Sequence, residues 1–413
     1  MPSSGKEQQK RMKRVPVTVL TGFLGSGKTT LLNRILNDDG HGMKFAVIEN
    51  EFGDIGIDQR ILSDNVDEEV IEIMNGCICC KVRGDLVAAL KRLYEKVETF
   101  DGVIIETTGL ADPAPVVQTF FAETNDGEES LERMYKLDSI ITVADAKHIL
   151  QRLDEDRAEG TENEAEQQVC FADKIILNKI DLMMEDDNDG GKKRGEEELD
   201  MIEKRLRSLN ATAPILRTEQ GNVPPSELLN IGAFDLDKIL TFDPYFLGET
   251  KVPRHDGAIS SISAKIDGEV NMAMLQGWIQ TLLHEDDTTL YRYKGIIAVK
   301  GKQEKFVFQG VGHFFSANAG TMRWEAGERR TSTFVFIGKN LDTTKLREGF
   351  LACEESGVLR FDVGDDVECN VGEYVGGTVL ARWDEGNAYR VRLYDGNEIW
   401  APVDIDAYIR RRT

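Results

Sequence analysis

The sequence has no long apolar run. No stretch of its 413 residues approaches the roughly 18 consecutive apolar residues that a membrane helix requires. The first fourteen residues, MPSSGKEQQKRMKR, are polar and basic and lack the apolar segment of a secretory signal. We therefore expect a cytoplasmic protein without a membrane partner.

Basic residues are scarce relative to acidic ones. Lys and Arg total 50 and Asp and Glu total 73, which gives a formal net charge of −23. Such a charge repels phosphate backbones, so we expect no nucleic-acid partner. An acidic surface can attract metal cations, but its simplest role is solubility.

Cysteine is rare and unevenly distributed. Of the six cysteines, three lie in CICC at residues 77–80, and the others are the widely separated Cys170, Cys353 and Cys369. A disulfide framework does not cluster in this way. In a reducing cytosol the cluster indicates metal ligands first, with redox thiols and buried structural cysteines as the alternatives.

From Val15 to about Ile231, short β-branched runs alternate with helical patterns, which is typical of an α/β fold with a mostly parallel sheet. The predicted strands are VPVTVL, KFAVIE, DGVIIE, LDSIITVAD and KIILN. The predicted helices are LLNRILND, DLVAALKRLYEKV and EEELDMIEKRLRSL. The charged segment between Leu182 and Glu198 has no apolar period, so it is predicted to be a disordered surface loop.

Two further units follow this one. A strand, a helix and several more strands predict an α+β sheet domain over residues 255–352. Residues 363–413 contain only strand and turn patterns, with a hairpin signal at Asp395-Gly396, and predict a small SH3-like or Tudor-like barrel. The predicted organisation is a polar tail over 1–14, a P-loop GTPase domain over 15–240, and these two domains.

The segment GFLGSGKT, residues 22–29, lies between a predicted strand and a predicted helix, as a phosphate loop requires. Glycines allow backbone N–H groups to surround phosphate oxygens at the helix N-terminus. Lys28 is expected to reach the β- and γ-phosphates, and Thr29 to bind Mg²⁺. The predicted phosphate-binding residues are Gly22, Gly25, Ser26, Gly27, Lys28, Thr29 and Thr30.

The segment NKID begins at Asn178 and follows the apolar run KIIL, at the carboxyl end of a predicted strand. Asp181 can accept two hydrogen bonds from guanine, and adenine offers no such pair. Asn178 and Lys179 are predicted to bind the nucleotide with it. The pattern favours GTP, and a small-molecule kinase that uses ATP is the alternative.

The segment IIETTG, residues 104–109, ends another predicted strand. Glu106 lies where an acidic residue orients Mg²⁺ or the attacking water, and Gly109 would allow close backbone access to the γ-phosphate. Because Glu replaces the usual Asp, the sequence leaves both roles open for Glu106, a base or an indirect Mg²⁺ contact. The predicted catalytic residues are Lys28, Thr29 and Glu106.

Cys77, Cys79 and Cys80 supply three soft ligands, and Zn²⁺ prefers four. An incomplete shell suits a metal donor, because a closed four-cysteine site retains its ion. The soft thiolate ligands favour Zn²⁺ or Cu⁺, and Co²⁺ is also possible. The candidate additional ligands are Glu49, Glu51, Asp54 and His148. The acidic segment with Glu49, Glu51 and Asp54 follows the second predicted strand, where a GTPase switch region usually lies. Carboxylates in this position would couple metal binding to nucleotide binding.

Five linked segments resemble the CobW-type family of metal-trafficking GTPases: GFLGSGKTTLLNRIL, AVIENEFGDIGID, NGCICCKVRGDL, IIETTGLADPAPVVQTFF and NKID. LYRYKGIIAVKG, KFVFQGVGHFF and STFVFIG resemble its C-terminal domain, so the likeness covers roughly residues 15–350. Within the family, the chain is most similar to the zinc-binding YjiA-like members and the zinc-regulated GTPase metalloprotein activators.

The resemblance implies GTP hydrolysis coupled to delivery of zinc, or in some members cobalt, to a client metalloprotein. It implies zinc binding by Cys77, Cys79 and Cys80, with Glu49, Asp54 and His148 as plausible additional ligands. A zinc-responsive regulator or buffer with weak GTPase activity is the alternative. For the oligomeric state we expect a monomer or a dimer that depends on nucleotide or metal.

The chain departs from the family in two places. The segment KVPRHDGAISS contains only His255 where many members are histidine-rich, so bulk metal storage is not expected. The residues after about Val363 lie outside the family pattern. Their aromatic residues are predicted to form mainly the core of the small module, with a peptide-binding groove as the alternative. These aromatic residues are Trp383, Tyr389, Tyr394 and Trp400.

Overall fold

The internal contacts of the chain divide it into two units. A computed structural model describes residues 14–49, 70–72, 81–95, 100–109, 112–120, 131–155, 163–184, 189–233, 259–284, 289–312, 314–355 and 357–412. The first unit comprises Met1–Arg205 with Ala213–Phe234, and the second comprises Leu206–Thr212 with Asp235–Thr413. Over the described ranges, no helix combines the length and the apolar character needed to cross a membrane.

The first unit contains a seven-stranded sheet in the order β3-β2-β4-β1-β5-β6-β7. Every neighbouring pair is parallel. The parallel α/β prediction is confirmed, and each predicted strand coincides with an observed one to within two residues at each end. The strands are β1 (Val15–Thr21), β2 (Phe45–Glu49), β3 (Val70–Glu72), β4 (Gly102–Glu106), β5 (Tyr135–Asp145), β6 (Lys174–Asn178) and β7 (Ile215–Arg217).

Helices cover the strands because their apolar faces need burial. Leu31, Leu32 and Ile35 of the first helix pack against Phe45 and Ile104 in one core. The helices are α1 (Lys28–Leu36), α2 (Lys81–Tyr94), α3 (Ala114–Gln118), α4 (Leu131–Met134), α5 (Ile149–Leu153), α6 (Glu164–Phe171) and α7 (Asp189–Leu209). Short 3-10 turns lie at Asp39–His41, Ile180–Met183 and Pro225–Glu227.

The disordered loop predicted between Leu182 and Glu198 is wrong over most of its length, because α7 begins at Asp189. Gly195 allows the helix to pack closely, since a Cβ there would lie 2.4 Å from the Met183 carbonyl oxygen. One face of α7 also neutralises a single guanidinium. The Arg217 side chain contacts three carboxylates spaced four and three residues apart, each at 2.6 Å, from Glu196, Asp200 and Glu203.

The second unit begins with a five-stranded antiparallel sheet in the order β11-β10-β9-β12-β8. Its elements are β8 (Ile259–Ile266), α8 (Met272–Leu283), β9 (Thr289–Ala298), β10 (Glu304–Val311), β11 (Phe314–Arg323), β12 (Ser332–Lys339) and α9 (Thr343–Leu351). Leu275 and Ile279 of α8 pack with Phe334 and Phe336 of β12 and with Phe350 of α9. The α+β prediction is therefore confirmed.

The remaining residues form a second antiparallel sheet in the order β16-β15-β14-β13-β17. Its strands are β13 (Asp366–Asn370), β14 (Tyr374–Asp384), β15 (Asn387–Leu393), β16 (Glu398–Ala401) and β17 (Ile409–Arg411). Gly396 has a φ of 93°, and the Asp395 carboxylate accepts from the Asn397 backbone at 2.9 Å. The all-β module and its hairpin turn are as predicted.

The aromatic residues of this module divide between core and surface. Tyr389 is fully buried, and Trp383 packs partly buried against the same core. Tyr394 is 53% exposed and Trp400 is 44% exposed. The core interpretation is therefore correct for Tyr389 and Trp383 and wrong for the other two.

Candidate nucleotide-binding site

The phosphate-loop segment connects β1 to α1 at the carboxyl edge of the parallel sheet. Gly22 and Gly27 have φ angles of 140° and 104°, which residues with a side chain rarely adopt. A Cβ on Gly22 would lie 2.2 Å from the Val143 carbonyl oxygen, and one on Gly27 would lie 2.4 Å from the Asn178 amide. The loop needs glycine at these two positions for both conformation and space.

Lys28 is the first residue of α1, and its ammonium folds back onto the loop. Its Nζ donates to the carbonyl oxygens of Gly22 at 2.8 Å and Phe23 at 3.3 Å. Burial lowers the pKa of Lys28, and the negative charge of Glu106 partly offsets that effect. The side chain of Lys28 is therefore buried close to an acidic partner.

Thr29 and Glu106 meet although they are far apart in the sequence. The Thr29 hydroxyl donates to Glu106 Oε1 at 3.1 Å. Glu106 is the last residue of β4, directly registered with Leu20 of β1, so the sheet brings its side chain to the start of α1. A hydroxyl beside a carboxylate is a pair of oxygen donors of the type that Mg²⁺ prefers.

Gly109 contacts the loop from the other side. A Cβ at Gly109 would lie 2.4 Å from the Leu24 backbone nitrogen. The Thr107 hydroxyl donates to the Thr21 hydroxyl at 2.9 Å, which connects the ends of β4 and β1. The segment after β4 therefore packs directly on the phosphate-loop segment.

Asn178 connects NKID to two other segments of the site. Its Nδ2 donates to the Ser26 carbonyl oxygen at 3.0 Å, and its Oδ1 accepts from the Gly221 backbone at 2.9 Å. The side chain is 1% exposed. Lys179, in the left-handed conformation at φ 64°, donates to the Gly25 carbonyl oxygen at 2.6 Å.

Some buried oxygens at this edge have no hydrogen-bond partner within the part of the chain that the structure describes. Among them are Asp181 Oδ1, Ser26 Oγ and Thr108 Oγ1. Buried polar atoms normally have partners, and a carboxylate oxygen can only accept. Asp181 therefore suits a ligand that offers N–H donors, as guanine does. The donor set fits a guanine nucleotide with Mg²⁺.

The structure adds two residues that motif reasoning missed. Asp145 ends β5 and accepts from Lys179 Nζ at 2.8 Å and from His148 Nδ1 at 3.1 Å. An acidic residue at the end of a buried strand was a usable signal. Gly221, with a φ of 66°, contacts Asn178 from a loop after β7, and no local motif marks it.

The predicted metal ligands are only partly within the described structure. Cys77, Cys79, Cys80, Glu51 and Asp54 lie outside the described residues, as does His255. Among the residues that are described, no three His, Cys, Asp or Glu side chains form a metal-binding group.

Two candidate ligands have a described backbone position. Glu49 ends β2, and its backbone is registered with Glu106 on one side and Glu72 of β3 on the other. His148 follows β5, which three strands separate from β3. Its zinc role stays a prediction.

Known protein families match most of the chain. Residues 16–217 match the nucleotide-binding domain of the CobW/HypB/UreG family, and residues 259–354 match the cobalamin synthesis protein cobW C-terminal domain. A curated relative, the zinc chaperone YjiA of Escherichia coli, is 35% identical over 347 residues, which cover 82% of this chain and 98% of that protein. The chain belongs to the CobW family.

Other members of the CobW family are similarly close. The zinc-regulated GTPase metalloprotein activator 1 of Saccharomyces cerevisiae is 30% identical over 84% of this chain and 85% of that protein. The crystal structure of Zn(II)-bound YjiA GTPase from E. coli superposes with a TM-score of 0.62 at 32% identity, covering 83% of this chain and all of that one. The module over residues 363–413 follows both family-matched regions.

Proposed function

We propose that this CobW-family protein is a GTP-hydrolysing zinc metallochaperone that binds Zn²⁺ at Cys77, Cys79 and Cys80 and transfers it to a client metalloprotein. The observation that carries the GTPase part is the bond from Asn178 to the Ser26 carbonyl, which joins the guanine motif to the phosphate loop. The chain is a GTPase, and its cofactors are GTP and Mg²⁺ with Zn²⁺ as cargo. Its relatives are named zinc chaperone and zinc-regulated GTPase.

In this proposal the loop residues bind the phosphates. Backbone N–H groups of Gly22, Gly25, Ser26 and Gly27, together with Thr30 at the start of α1, surround the phosphate oxygens. The Lys28 ammonium moves from its carbonyl acceptors to the β- and γ-phosphates. Its partial burial strengthens that contact, because a buried charge is poorly screened.

Thr29 and Glu106 would bind Mg²⁺, directly or through water, and the bound ion would neutralise charge that develops on the phosphates during hydrolysis. Gly109 lies where its backbone can approach the γ-phosphate, against Leu24. Asp181 accepts the two guanine N–H donors, and Asn178 and Lys179 fix the loop around the base. These roles follow from chemistry and proximity.

For zinc, we propose the three cysteines with Glu49 as the fourth ligand, and Asp54 and His148 as the remaining candidates. Three thiolates with one carboxylate complete a tetrahedral shell that can exchange its oxygen ligand. A crystal structure of a YjiA GTPase variant with alanine in place of one glutamate and two cysteines is also Zn(II)-bound.

Neighbouring strand ends offer a route from nucleotide to metal. Glu49 and Glu106 are registered on adjacent strands, so their backbones lie about 5 Å apart. A movement of Glu106 when the γ-phosphate leaves would reach Glu49 across one strand spacing. GTP would therefore tighten the zinc site, and hydrolysis would release the ion at the client.

The deciding experiment measures zinc affinity in the presence of a GTP analogue and of GDP. We expect the affinity for zinc to be at least about tenfold higher with the GTP analogue than with GDP. By reciprocity, zinc should raise the affinity for the analogue, relative to that for GDP, by the same factor. The Cys79→Ser variant should remove the effect while nucleotide affinity stays. Equal zinc affinities in both nucleotide states would contradict coupled delivery.

A zinc-responsive regulator would instead retain its cellular effect in Lys28→Ala. Transfer of cobalt in preference to zinc would identify a cobalt-delivering member.

A further inference from the structure

The residue at the end of β5 lies against the nucleotide-binding lysine. Asp145 is 13% exposed at its side chain. Its Oδ2 accepts from Lys179 Nζ at 2.8 Å and from His148 Nδ1 at 3.1 Å, and its Oδ1 accepts from the Lys147 backbone at 2.9 Å. Three hydrogen-bond donors therefore fix the Asp145 carboxylate in one orientation.

Lys179 is confined by two acceptors from opposite parts of the sequence. One is the Gly25 carbonyl of the phosphate loop at 2.6 Å, and the other is Asp145. A lysine side chain otherwise samples many rotamers, and fixing it has an entropic cost. A fixed, partly buried carboxylate orients the ammonium before any ligand arrives, so the ligand need not supply that ordering.

The segment after Asp145 contacts the same loop at a second point. Helix α5 begins at Ile149, directly after its N-cap residue His148, and the Arg152 backbone donates to the His148 carbonyl at 3.1 Å. The Arg152 guanidinium lies 4.4 Å from the centre of the Phe23 ring. Its own ion-pair partner is Glu155 at 2.5 Å. Two residues of one short segment therefore contact the phosphate loop, through Lys179 and through Phe23.

We infer that Asp145 is a positioning residue of the nucleotide site: it orients Lys179 on the phosphate loop, and His148 is the second donor to the same carboxylate. This inference rests on the proposed nucleotide site. It gives His148 a role in the nucleotide site, which is consistent with Glu49, and not His148, as the fourth ligand of the proposed zinc site. The contacts involve Lys179 of NKID, which lies close in sequence to the base-binding residue Asp181. Because GTP and GDP share the same base, we expect the affinities for both nucleotides to change equally.

The test is a double-mutant cycle on nucleotide affinity in the full-length chain, with a fluorescent GDP and a fluorescent non-hydrolysable GTP analogue as probes. We expect Asp145→Asn to raise both dissociation constants about tenfold, with kcat changed by less than about threefold. Combined with Lys179→Ala, it should add nothing further, because residues that act through one contact are not additive.

A matched control is Asp173→Asn. Asp173 is a buried carboxylate beside β6, and it accepts from the Ile140 backbone at 2.9 Å in the middle of β5. This variant should lower the thermal midpoint and leave both dissociation constants within about twofold, since its contact is structural. If Asp145→Asn lowers the midpoint equally and its effect on affinity adds to that of Lys179→Ala, Asp145 has a structural role only.

His148→Ala supplies a variant that should fold normally, because that side chain is 51% exposed. We expect a two- to threefold rise, roughly, in both nucleotide dissociation constants and no change in zinc affinity. Weaker zinc binding with unchanged nucleotide binding would overturn the role given to His148. If Lys179→Ala itself leaves nucleotide affinity unchanged, the proposed nucleotide site fails. If only Asp145→Asn is silent, the inference about Asp145 fails by itself.

Discussion

The Asn178 side chain donates to the Ser26 carbonyl oxygen at 3.0 Å, across 152 residues of sequence. The same amide accepts from the Gly221 backbone at 2.9 Å. One buried side chain therefore connects the phosphate loop, the NKID segment and the loop after β7.

Replacing Asn178 by Ala should weaken the whole site. The change leaves the Ser26 carbonyl and the Gly221 N–H without this partner, and a buried unpaired group costs about 1–3 kcal/mol. We expect nucleotide affinity to fall by roughly tenfold or more and the first unit to melt at a lower temperature. Calorimetric binding and thermal unfolding measure the two effects. Asn37→Ala is the control: it removes only an exposed hydrogen bond to the Asn33 carbonyl oxygen at the end of α1, so nucleotide affinity should not change and the melting temperature should fall much less.

Gly109→Ala should disturb the phosphate loop through backbone contact. The new Cβ would lie 2.4 Å from the Leu24 nitrogen and 2.6 Å from its Cα, and neither atom can move without the loop. We expect GTP hydrolysis to fall at least about tenfold, measured as phosphate release at saturating GTP. Gly42→Ala is the control. It introduces strain at a φ of 60° with no atom within 4 Å, so it should affect stability and leave hydrolysis unchanged. Normal turnover in Gly109→Ala would contradict the packing of this segment on the loop.

Thiol labelling should distinguish the two groups of cysteines. Burial raises the pKa of Cys353 to about 12 and of Cys369 to about 11, and it raises the pKa of Cys170 as well. A raised pKa means less thiolate below it, so these three should resist alkylation at about pH 8 until the chain unfolds. Mass spectrometry of the native protein should find the label on Cys77, Cys79 and Cys80. Zinc should protect them, and removal of zinc by a chelator should restore labelling. Labelling that zinc does not change would argue against the cysteine site.

Tyr389→Phe should destabilise the last module without affecting catalysis. The Tyr389 hydroxyl donates to Asp404 at 2.8 Å and accepts from the Phe361 backbone at 3.0 Å, inside the core. Losing both bonds should cost about 1–3 kcal/mol, seen as faster proteolysis of the module. Tyr408→Phe is the exposed control and should behave as the wild type. A fall in GTP hydrolysis in Tyr389→Phe would show that the module affects the nucleotide site.

Local patterns were sufficient where the determining contacts are local. The strand KIILN, the Asp395-Gly396 turn and the phosphate-loop glycines have the structures that their neighbours in sequence predict. In contrast, the charged segment after Leu182 lacks an apolar period and still forms the start of α7. This part of the helix is stabilised by the contacts with Arg217 and by close packing at Gly195. The local pattern of the segment does not show either contact.

The sequence by itself determined the chemistry, which is a phosphate loop, a guanine motif and a cysteine cluster, and it determined the order of one parallel and two antiparallel sheets along the chain. Only the tertiary structure decided which of these groups touch. Asp145 meets Lys179, and Lys179 meets Gly25, because parallel strands bring their carboxyl ends to one edge while separating them along the chain. His148 lies at that edge beside the NKID lysine for the same reason. Composition and spacing contain no information about such contacts, since they arise from strand order and side-chain packing.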